Sequence, residues 1–550
     1  MRTSMLISFI VIVLLSSSTI LQAEEINWRA EGRNGALVAG DKEAVEVGLE
    51  IFKKGGNAID VTAATILALT VTDYRKYFCF GSEVPIIVYD AKRGVVEVLC
   101  GQGPAPELAT REHFMSQGNT ASRGIESWTV PGVLDACLTA LDRYGTMRFV
   151  DVSAPMLRIL DRHEEDWHAR FAKTVRRLVE AEKGARDRKR GLRLVADYFY
   201  RGPIAREIDE WSRENGGLIR YSDLARYMTR IEEPITVNYR GYTVYKCGPW
   251  SQGPVMLQAL QLLEGYDLAQ MGHSSADFLH VVAESMKLAY ADRDAHYGDP
   301  LFSDVPMDEL LSAEYTQMRR ELIDMQRASV IQQPGDPLAG KAILEGYKPL
   351  WGSGESEKND TSICIVADRW GNMVASTPSG NGVPDGHEVG SNGVKMGNRM
   401  LCFNIWEGHP NCVEPGKRPR TTLTPTLVLK DGKPVLVANV AGGDLQDQSS
   451  LQMLINHLDF GMDPAQCVTS VPLSTGHMVG SFGQGAADLG SLGVRTEVSE
   501  DVVEELKARG HKVQLGAWGS HDAILTIDPE SGLIRAAGYS EDYRPRAGAY

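Results

Sequence analysis

The residues of this chain that could do chemistry centre on the stretch EKNDTSICIVADRWGNMVASTPSGNG, residues 357 to 382. Thr361 carries a hydroxyl that can act as a nucleophile once a base takes its proton. It precedes a run of short, β-branched and apolar residues, and residues 368–372 supply the turn chemistry that ends this run. The segment predicts a β-hairpin with Thr361 at the mouth of its first strand. A loop end without chemistry remains the alternative.

Thr361 is the main candidate for a catalytic residue because other catalytic patterns are missing from the sequence. No GxSxG, HExxH, P-loop or GxGxxG motif after a strand occurs in the chain. The 8 cysteines form no CxxC pair and the 12 histidines are scattered, so we expect no metal and no cofactor. His273 and His280 are interpreted as surface or core residues. Cys402 and Cys412 could form a disulfide, or both could be buried thiols.

Composition indicates an ordinary globular protein of considerable size. At 550 residues, two lobes or one large layered domain are expected. The 57 basic and 72 acidic residues give a net charge of −15, which argues against nucleic acid or an anionic membrane as the main partner. The basic stretch RDRKRGLR, residues 186–193, is interpreted as a solvated helix face or loop.

The N-terminus reads MRTSMLISFIVIVLLSSSTILQAEE and has the pattern of a secretory signal peptide. An early arginine, an apolar run and a small residue at Ala23 predict cleavage near that position, so residues 1–23 are excluded from the fold. The apolar run is short for a membrane-spanning helix, although an uncleaved anchor is the alternative. We expect a periplasmic or secreted protein without membrane insertion after signal removal.

The rest of the chain mixes helical and extended patterns without a clean βαβ alternation. Two amphipathic helices are predicted early, with Asn57 capping the second, and a hairpin with its turn at residues 90–94 follows. Ser222 is expected to cap a short helix. Residues 334–358 have many turn formers and predict an exposed linker before a strand-rich part that starts at Thr361. This order favours an α+β protein with antiparallel sheets covered by helices.

Several segments together resemble the gamma-glutamyltransferase family of the N-terminal nucleophile hydrolase superfamily, as a divergent member. The segments are DTSICIVADRWGNMVAST, GGNAIDVTAATILAL, YRGPIAREI, GGLIRYSDLARY, PITVNYRGYTVY, AESMKLAYADRDAHYGDP, EPGKRPRTTLTPTLVLKDGKP, AGGDLQ and LINHLDFGM. The resemblance implies a four-layer αββα sandwich and a precursor that cuts itself between Asp360 and Thr361. Residues 24–360 would form the large subunit and residues 361–550 the small one, and the two would stay associated.

The chemistry of such a cut explains why a threonine is placed there. Freeing the backbone nitrogen of Thr361 creates an α-amine that can take the proton of the hydroxyl on the same residue. The resemblance further implies that Gly442 and Gly443 donate their amides to the oxyanion. It also implies that Ser379 hydrogen-bonds the nucleophile and that Asn381 helps to bind a substrate amino group.

The predicted glutamate pocket departs from the family pattern. The arginine that binds a substrate carboxylate in the family corresponds to Gln102, and a neutral amide cannot replace a bidentate guanidinium. The paired serines of the family correspond to Thr421 and Thr422. Asn404 and Glu407 align loosely with the ammonium-binding region. A missing positive charge could be supplied by one of two further arginines, namely Arg418 or Arg420.

The sequence therefore leaves three functions open. The first is hydrolysis or transfer of gamma-glutamyl amides such as glutathione, through an acyl-enzyme on Thr361. The second is a family amidase for another small acyl amide, of the cephalosporin-acylase or oxamate-amidase kind. The third is a non-catalytic binding protein. In each case the expected partner is a small-molecule amide or peptide.

Overall fold

The structure is a computed structural model that describes residues 26–75, 77–118, 120, 124–163, 165–352, 361–380, 388–516, 520–540 and 544–550. The predicted signal peptide, Asp360 and Asn381 lie outside these residues. Helices and strands alternate irregularly along the described chain, as the sequence predicts. Within the described ranges, no helix combines the length and the hydropathy needed to cross a membrane.

The described residues form 17 strands and 17 α-helices. Among the described residues the strands are Arg29–Gly32 (β1), Gly35–Ala39 (β2), Val84–Asp90 (β3), Val95–Gly101 (β4), Arg230–Glu232 (β5), Ile235–Tyr239 (β6), Tyr242–Lys246 (β7), Cys364–Asp368 (β8), Met373–Ser376 (β9), Thr426–Lys430 (β10), Lys433–Ala441 (β11), Leu473–Ser474 (β12), Ser491–Val494 (β13), Lys512–Leu515 (β14), His521–Ile527 (β15), Ile534–Tyr539 (β16) and Arg546–Ala549 (β17). The α-helices are Lys42–Lys53 (α1), Ala58–Thr72 (α2), Arg111–Met115 (α3), Val133–Tyr144 (α4), Phe149–Arg162 (α5), Asp166–Lys183 (α6), Arg188–Tyr200 (α7), Pro203–Glu214 (α8), Tyr221–Arg226 (α9), Pro254–Leu263 (α10), Leu268–Met271 (α11), Ala276–His296 (α12), Met307–Leu310 (α13), Ala313–Arg320 (α14), Gln446–Leu458 (α15), Pro464–Thr469 (α16) and Glu500–Ala508 (α17).

The strands form two seven-stranded sheets and a small three-stranded one. The first sheet has the order β17-β2-β8-β9-β3-β4-β5, and the second has the order β1-β16-β15-β11-β10-β7-β6. Every pairing within these two sheets is antiparallel. β12, β13 and β14 form the small sheet.

The two large sheets pack face to face, and helices cover their outer faces. Along β8, Ile365 and Ala367 point into the apolar layer between the sheets, whereas Cys364 and Val366 point toward the helices. This alternation follows from the two-residue period of a strand that is buried on both sides. Helices α1, α2 and α4 pack on the first sheet, and α10, α15 and α16 pack on the second.

The hairpin that the sequence predicts after Thr361 is present. β8 and β9 pair antiparallel, with Ala367 opposite Met373. Asp368 organises the turn because its carboxylate accepts hydrogen bonds from the backbone nitrogens of Trp370 (2.9 Å) and Asn372 (3.1 Å). The same carboxylate accepts from the nitrogen of Ala58 at 2.8 Å, so the turn is also fixed to the start of α2.

Two local expectations are confirmed and two are wrong. Asn57 caps α2, since its side chain accepts from the nitrogens of Ile59 and Asp60, and the predicted turn at residues 90–94 joins β3 to β4. The expected amphipathic character of α2 is wrong: the helix is buried on every face because it lies between β8 and the helices α1, α4 and α5. Ser222 does not cap a helix either, since α9 begins one residue earlier and Arg220 is its N-cap.

Candidate active site

Thr361 lies at one end of the first sheet, next to two neighbouring strand ends. Its backbone forms a bridge with Ser379, and Ser379 in turn forms a bridge with Glu83. Beyond the ends of β8, β9 and β3, these three residues therefore continue the strand order of the sheet. Thr361 Oγ1 lies 3.0 Å from Ser379 Oγ, and both side chains are buried.

A charged pair that the sequence reasoning did not identify lies behind Ser379. Arg399, at the start of a short 3-10 helix, donates a hydrogen bond from Nη2 to Ser379 Oγ. Its Nε lies 2.7 Å from Glu83 Oε1, and both side chains are 1% exposed. The Phe482 ring covers the guanidinium, with its centroid 5.5 Å from Arg399 Cζ. The available signal was the occurrence of charged residues in the otherwise uncharged stretches CFGSEVP and RMLCF.

A second ion pair holds the backbone of Thr361. Arg544, near the C-terminus, donates from Nη1 to the carbonyl oxygen of Thr361 at 2.9 Å and from Nη2 to Asp73 at 2.8 Å. Ser362 also donates to Asp73. Burial raises the pKa of Asp73, although Arg544 and Ser362 favour its charged form. These contacts fix the carbonyl side of Thr361 while its hydroxyl faces Ser379.

The predicted oxyanion glycines directly follow β11 of the second sheet. Thr377 donates to Asn439 Oδ1 at 2.7 Å and Asn439 donates back to the carbonyl of Ser376, so β9 and β11 are tied together close to the site. Gly443 has φ = 56°, in the left-handed region that favours glycine. Gly442 is extended at φ = 165°. Their amide roles remain a prediction.

The loop after these glycines is anchored by a buried network. Asp444 accepts from Arg293 Nη1 at 2.6 Å and from the nitrogen and hydroxyl of Ser481 at 2.9 and 2.6 Å. Burial favours the neutral acid, but Arg293 and Ser481 outweigh it and hold the pKa of Asp444 below its usual value. A rigid, charged support therefore lies directly beneath the Gly442–Gly443 turn.

Gln102 is buried, and one of the two polar atoms of its side-chain amide makes a hydrogen bond. Its Nε2 donates to the carbonyl oxygen of Pro419, whereas its Oε1 has no partner among the described residues. It lines a cavity of about 490 Å³ together with Cys100, Val130 and Tyr227. The amide therefore braces the chain just before Arg420 and offers no cation to a carboxylate.

The two arginines considered as replacements differ sharply. Arg418 is saturated by Asp299 at 2.7 Å, Glu232 at 2.7 Å and Cys100 Sγ at 2.9 Å. Among the described residues, the Arg420 side chain makes only long contacts, to Ser481 Oγ at 3.4 Å and Asp294 at 3.5 Å. Its Nε has no hydrogen-bond partner among the described residues, and burial together with Arg293 lowers its pKa to about 10.

The neighbouring hydroxyl residues are buried beside Arg420. Thr421 Oγ1 finds no partner within the described part of the chain, and Thr422 Oγ1 accepts from Gln446 at 3.4 Å. The backbone of Thr421 bridges Ser251, which fixes the start of this segment against the loop before α10. Arg420, a cation whose side chain makes only long contacts to the described residues, is thus followed directly by Thr421, whose hydroxyl has no partner among them.

Asn404 and Glu407 do not join this group. Asn404 donates to His409 Nδ1 at 2.9 Å and accepts from the nitrogen of Trp406 at 3.1 Å, so its amide serves its own loop. Burial lowers the pKa of His409 to about 4, which keeps the ring neutral for this contact. Glu407 is 84% exposed and faces Arg111 at 3.3 Å.

Metal and redox chemistry find little support in the described residues. One triad, His280, Glu284 and His511, has its possible ligand atoms within 4.8 Å of one another. However, Lys287 already neutralises Glu284 at 2.7 Å, and the two imidazoles hydrogen-bond each other at 2.8 Å. All eight cysteines lie among the described residues, are buried and form no disulfide, so of the two alternatives for Cys402 and Cys412 the buried thiols are confirmed.

Comparisons with known proteins show what the whole chain is similar to. The family model for gamma-glutamyltranspeptidase matches residues 44–163 and 166–549. A glutathione hydrolase proenzyme from Escherichia coli (strain K12) is 32% identical over 94% of this chain and 92% of its own length. An acylase ACY 1 proenzyme from Pseudomonas sp. (strain SE83) is 29% identical over 94% of both chains. The crystal structure of a cephalosporin acylase from Bacillus halodurans superposes with a TM-score of 0.78 at 27% identity, covering 98% of this chain and 99% of that one.

Proposed function

Because the chain belongs to the gamma-glutamyltranspeptidase family, we propose that it is a precursor that cuts itself between Asp360 and Thr361 and then cleaves acyl amides. The large subunit would be residues 24–360 and the small subunit 361–550, held together in a four-layer αββα sandwich. The two facing sheets with helices on their outer sides support this assignment. The pattern at residues 1–23 supports a periplasmic or secreted location.

The observation that carries the proposal is the buried contact of 3.0 Å between the hydroxyls of Thr361 and Ser379. After the cut, the α-amine of Thr361 takes the hydroxyl proton and Oγ1 attacks the amide carbon. The amides of Gly442 and Gly443 stabilise the oxyanion. The ammonium then protonates the leaving amine, and water or a second amine releases the acyl group from Thr361.

The acyl group that we propose carries a carboxylate, which would pair with Arg420, and needs no amino group. Arg420 supplies a buried cation whose donors are poorly used, and the hydroxyl of Thr421 stands next to it. Neither Asn404 nor Glu407 offers a comparable group to a substrate ammonium. The Asn404 amide hydrogen-bonds within its own loop, and Glu407 is exposed. This favours the acylase-like alternative, with substrates of the glutaryl-amide type.

Gamma-glutamyl amides such as glutathione are the second candidate. Their α-carboxylate could also pair with Arg420 and the hydroxyls of Thr421 and Thr422, which keep the positions of the family's serines. Asn381 could then accept the amino group, although it lies outside the described residues. The third candidate, a non-catalytic binding protein, is disfavoured by the buried contact between Thr361 and Ser379.

The proposal is tested on the purified protein. Intact mass spectrometry should find two fragments divided between Asp360 and Thr361, and Thr361→Ala should stay whole. The cleaved protein should release the chromophore from an acyl anilide, whereas Thr361→Ala should not. A folded wild-type protein that remains uncut, or a cut protein that is inert toward glutaryl, gamma-glutamyl and uncharged acyl anilides, contradicts the proposed function.

A further inference from the structure

The charged residues behind Ser379 suggest how the nucleophile is tuned. We infer that Arg399 is a positioning residue that polarises the Ser379 hydroxyl, and that Glu83 sets the strength of this effect. The inference rests on the proposed function of Thr361. No neutral residue could act in the same way, because a guanidinium carries its charge throughout the working pH range.

The direction of the hydrogen bonds follows from the chemistry of the groups. A guanidinium donates and never accepts, so Arg399 Nη2 donates to Ser379 Oγ. Ser379 can then share its own proton with Thr361 Oγ1, 3.0 Å away. A donor that itself accepts a charge-assisted hydrogen bond becomes a stronger donor. The contact therefore strengthens as negative charge develops on Thr361 Oγ1 during attack.

Glu83 keeps this arrangement in place. Its backbone nitrogen donates to the carbonyl of Ser379 at 3.1 Å, and Ser379 donates back at 3.0 Å. Its carboxylate lies 2.7 Å from Arg399 Nε. One residue therefore fixes both the strand that carries Ser379 and the guanidinium that polarises it. The Glu83 carboxylate also offsets part of the positive charge of Arg399. The electric field of the pair at Thr361 is therefore weaker than that of Arg399 alone.

The same charges act on the α-amine that cleavage would create. A nearby cation disfavours an ammonium group and lowers its pKa, and a nearby anion raises it. Arg399 and Glu83 face Thr361 from the Ser379 side, and the second ion pair, Arg544 with Asp73, faces it from the carbonyl side. The balance between these charges decides at which pH the amine is free to act as the base.

The reaction step is balanced without any change in Arg399 or Glu83. The proton of Thr361 Oγ1 moves to the α-amine while Oγ1 forms a bond to the acyl carbon, and the amide carbon–nitrogen bond breaks as the ammonium returns the proton to the leaving amine. Ser379 shares its proton with the threonine oxygen and keeps it. Arg399 therefore acts through its hydrogen bond to Ser379.

The test compares Arg399→Gln, Glu83→Gln and the double variant with wild type. Arg399→Gln should lower kcat about ten- to a hundredfold, the scale of one charge-assisted hydrogen bond. It should also move the acidic limb of kcat/KM to higher pH by about one unit, since removing a cation raises the pKa of the amine. Glu83→Gln should move this limb to lower pH. The double variant should return the limb close to that of wild type but stay slow.

Arg319→Gln is the matched control, because Arg319, at 2% exposure, is buried like Arg399 and faces a carboxylate, Asp292 at 3.3 Å, away from Ser379. Arg319→Gln should change the melting temperature and leave the pH dependence of kcat/KM as in wild type. Cutting uses the same hydroxyl, so folded Arg399→Gln should also cut more slowly by mass spectrometry, with partial rescue by Arg399→Lys. Wild-type cutting and turnover in Arg399→Gln, or shifts of the same sign in both single variants, overturn the inference.

The outcomes also separate this inference from the proposed function. A wild-type protein that is folded but uncut and inactive refutes both. A wild-type protein that cuts and hydrolyses while the Arg399 and Glu83 variants match it refutes the polarising role alone.

Discussion

Replacing Arg420 with glutamine tests which residue binds the carboxylate of the substrate. Arg420 lies 3.5 Å from Asp294, whereas Arg293 lies 2.8 Å from the same carboxylate. Asp294 therefore keeps its closer partner in Arg420→Gln, and the variant should fold. Glutamine retains polarity and some reach but removes the charge, so a selective loss of activity would report on the charge itself.

The magnitude follows from the contact that is lost. A hydrogen bond to a charged group contributes about 1.5 to 3 kcal/mol, and about 1.4 kcal/mol corresponds to a factor of ten. For a glutaryl anilide, kcat/KM should therefore fall about ten- to a hundredfold in Arg420→Gln. For a pentanoyl anilide, which has the same chain length without the carboxylate, kcat/KM should be nearly unchanged.

The assay measures chromophore release from both anilides by the cleaved wild type and variant. Equal losses on the two substrates, or no loss on either, would refute the assignment of Arg420. Arg418→Gln is the control, because it strands Asp299, a buried carboxylate 2.7 Å from Arg418. Breaking such a pair costs about 3 to 5 kcal/mol of stability, so this variant should melt earlier without a change in selectivity between the anilides.

Four further outcomes are expected. Thr361→Ser should still cut, more slowly than wild type, because it keeps a hydroxyl; time-resolved mass spectrometry measures this, and a wholly inert variant would contradict it. Gly443→Val should lower turnover of cleaved enzyme about a hundredfold or more, the scale of losing one oxyanion donor, and unchanged kcat would remove this turn from the mechanism. Arg544→Gln should slow cutting because the carbonyl of Thr361 loses a donor at 2.9 Å, and processing at the normal rate in the folded variant would speak against that role. Gln102→Arg should raise kcat/KM for a gamma-glutamyl anilide relative to a glutaryl one, and no change in that ratio would show that the pocket is out of register with the family.

Local features were predictable where neighbouring residues decide them. The Asn57 cap depends on backbone groups two and three residues away, and the turn between β8 and β9 depends on Asp368 and the residues that follow it. Such short-range chemistry can be read directly from a sequence. The burial of α2 on every face could not, because it results from layers that the chain builds elsewhere.

The charged part of the site could not be predicted from the sequence for the same reason. Arg399 and Ser379 are 20 residues apart, but Glu83, which holds the guanidinium, comes from the opposite half of the chain. The choice between Arg418 and Arg420 likewise depends on Asp299, Glu232 and Asp294, which are distant in sequence. Contacts of this kind appear only once the sheets bring the strand ends together.

The strand order has a consequence for the fate of the protein after cutting. In the first sheet, β8 and β9 lie between β2 and β3, and β17 flanks β2; in the second sheet, β16 separates β1 from β15. A break before Thr361 would leave each fragment contributing strands to both sheets, so neither fragment could leave without tearing hydrogen-bonded ladders in two layers. The cut product should therefore unfold and separate in one cooperative step, and because this step releases two chains its melting temperature should fall on dilution, whereas that of the uncut precursor should not.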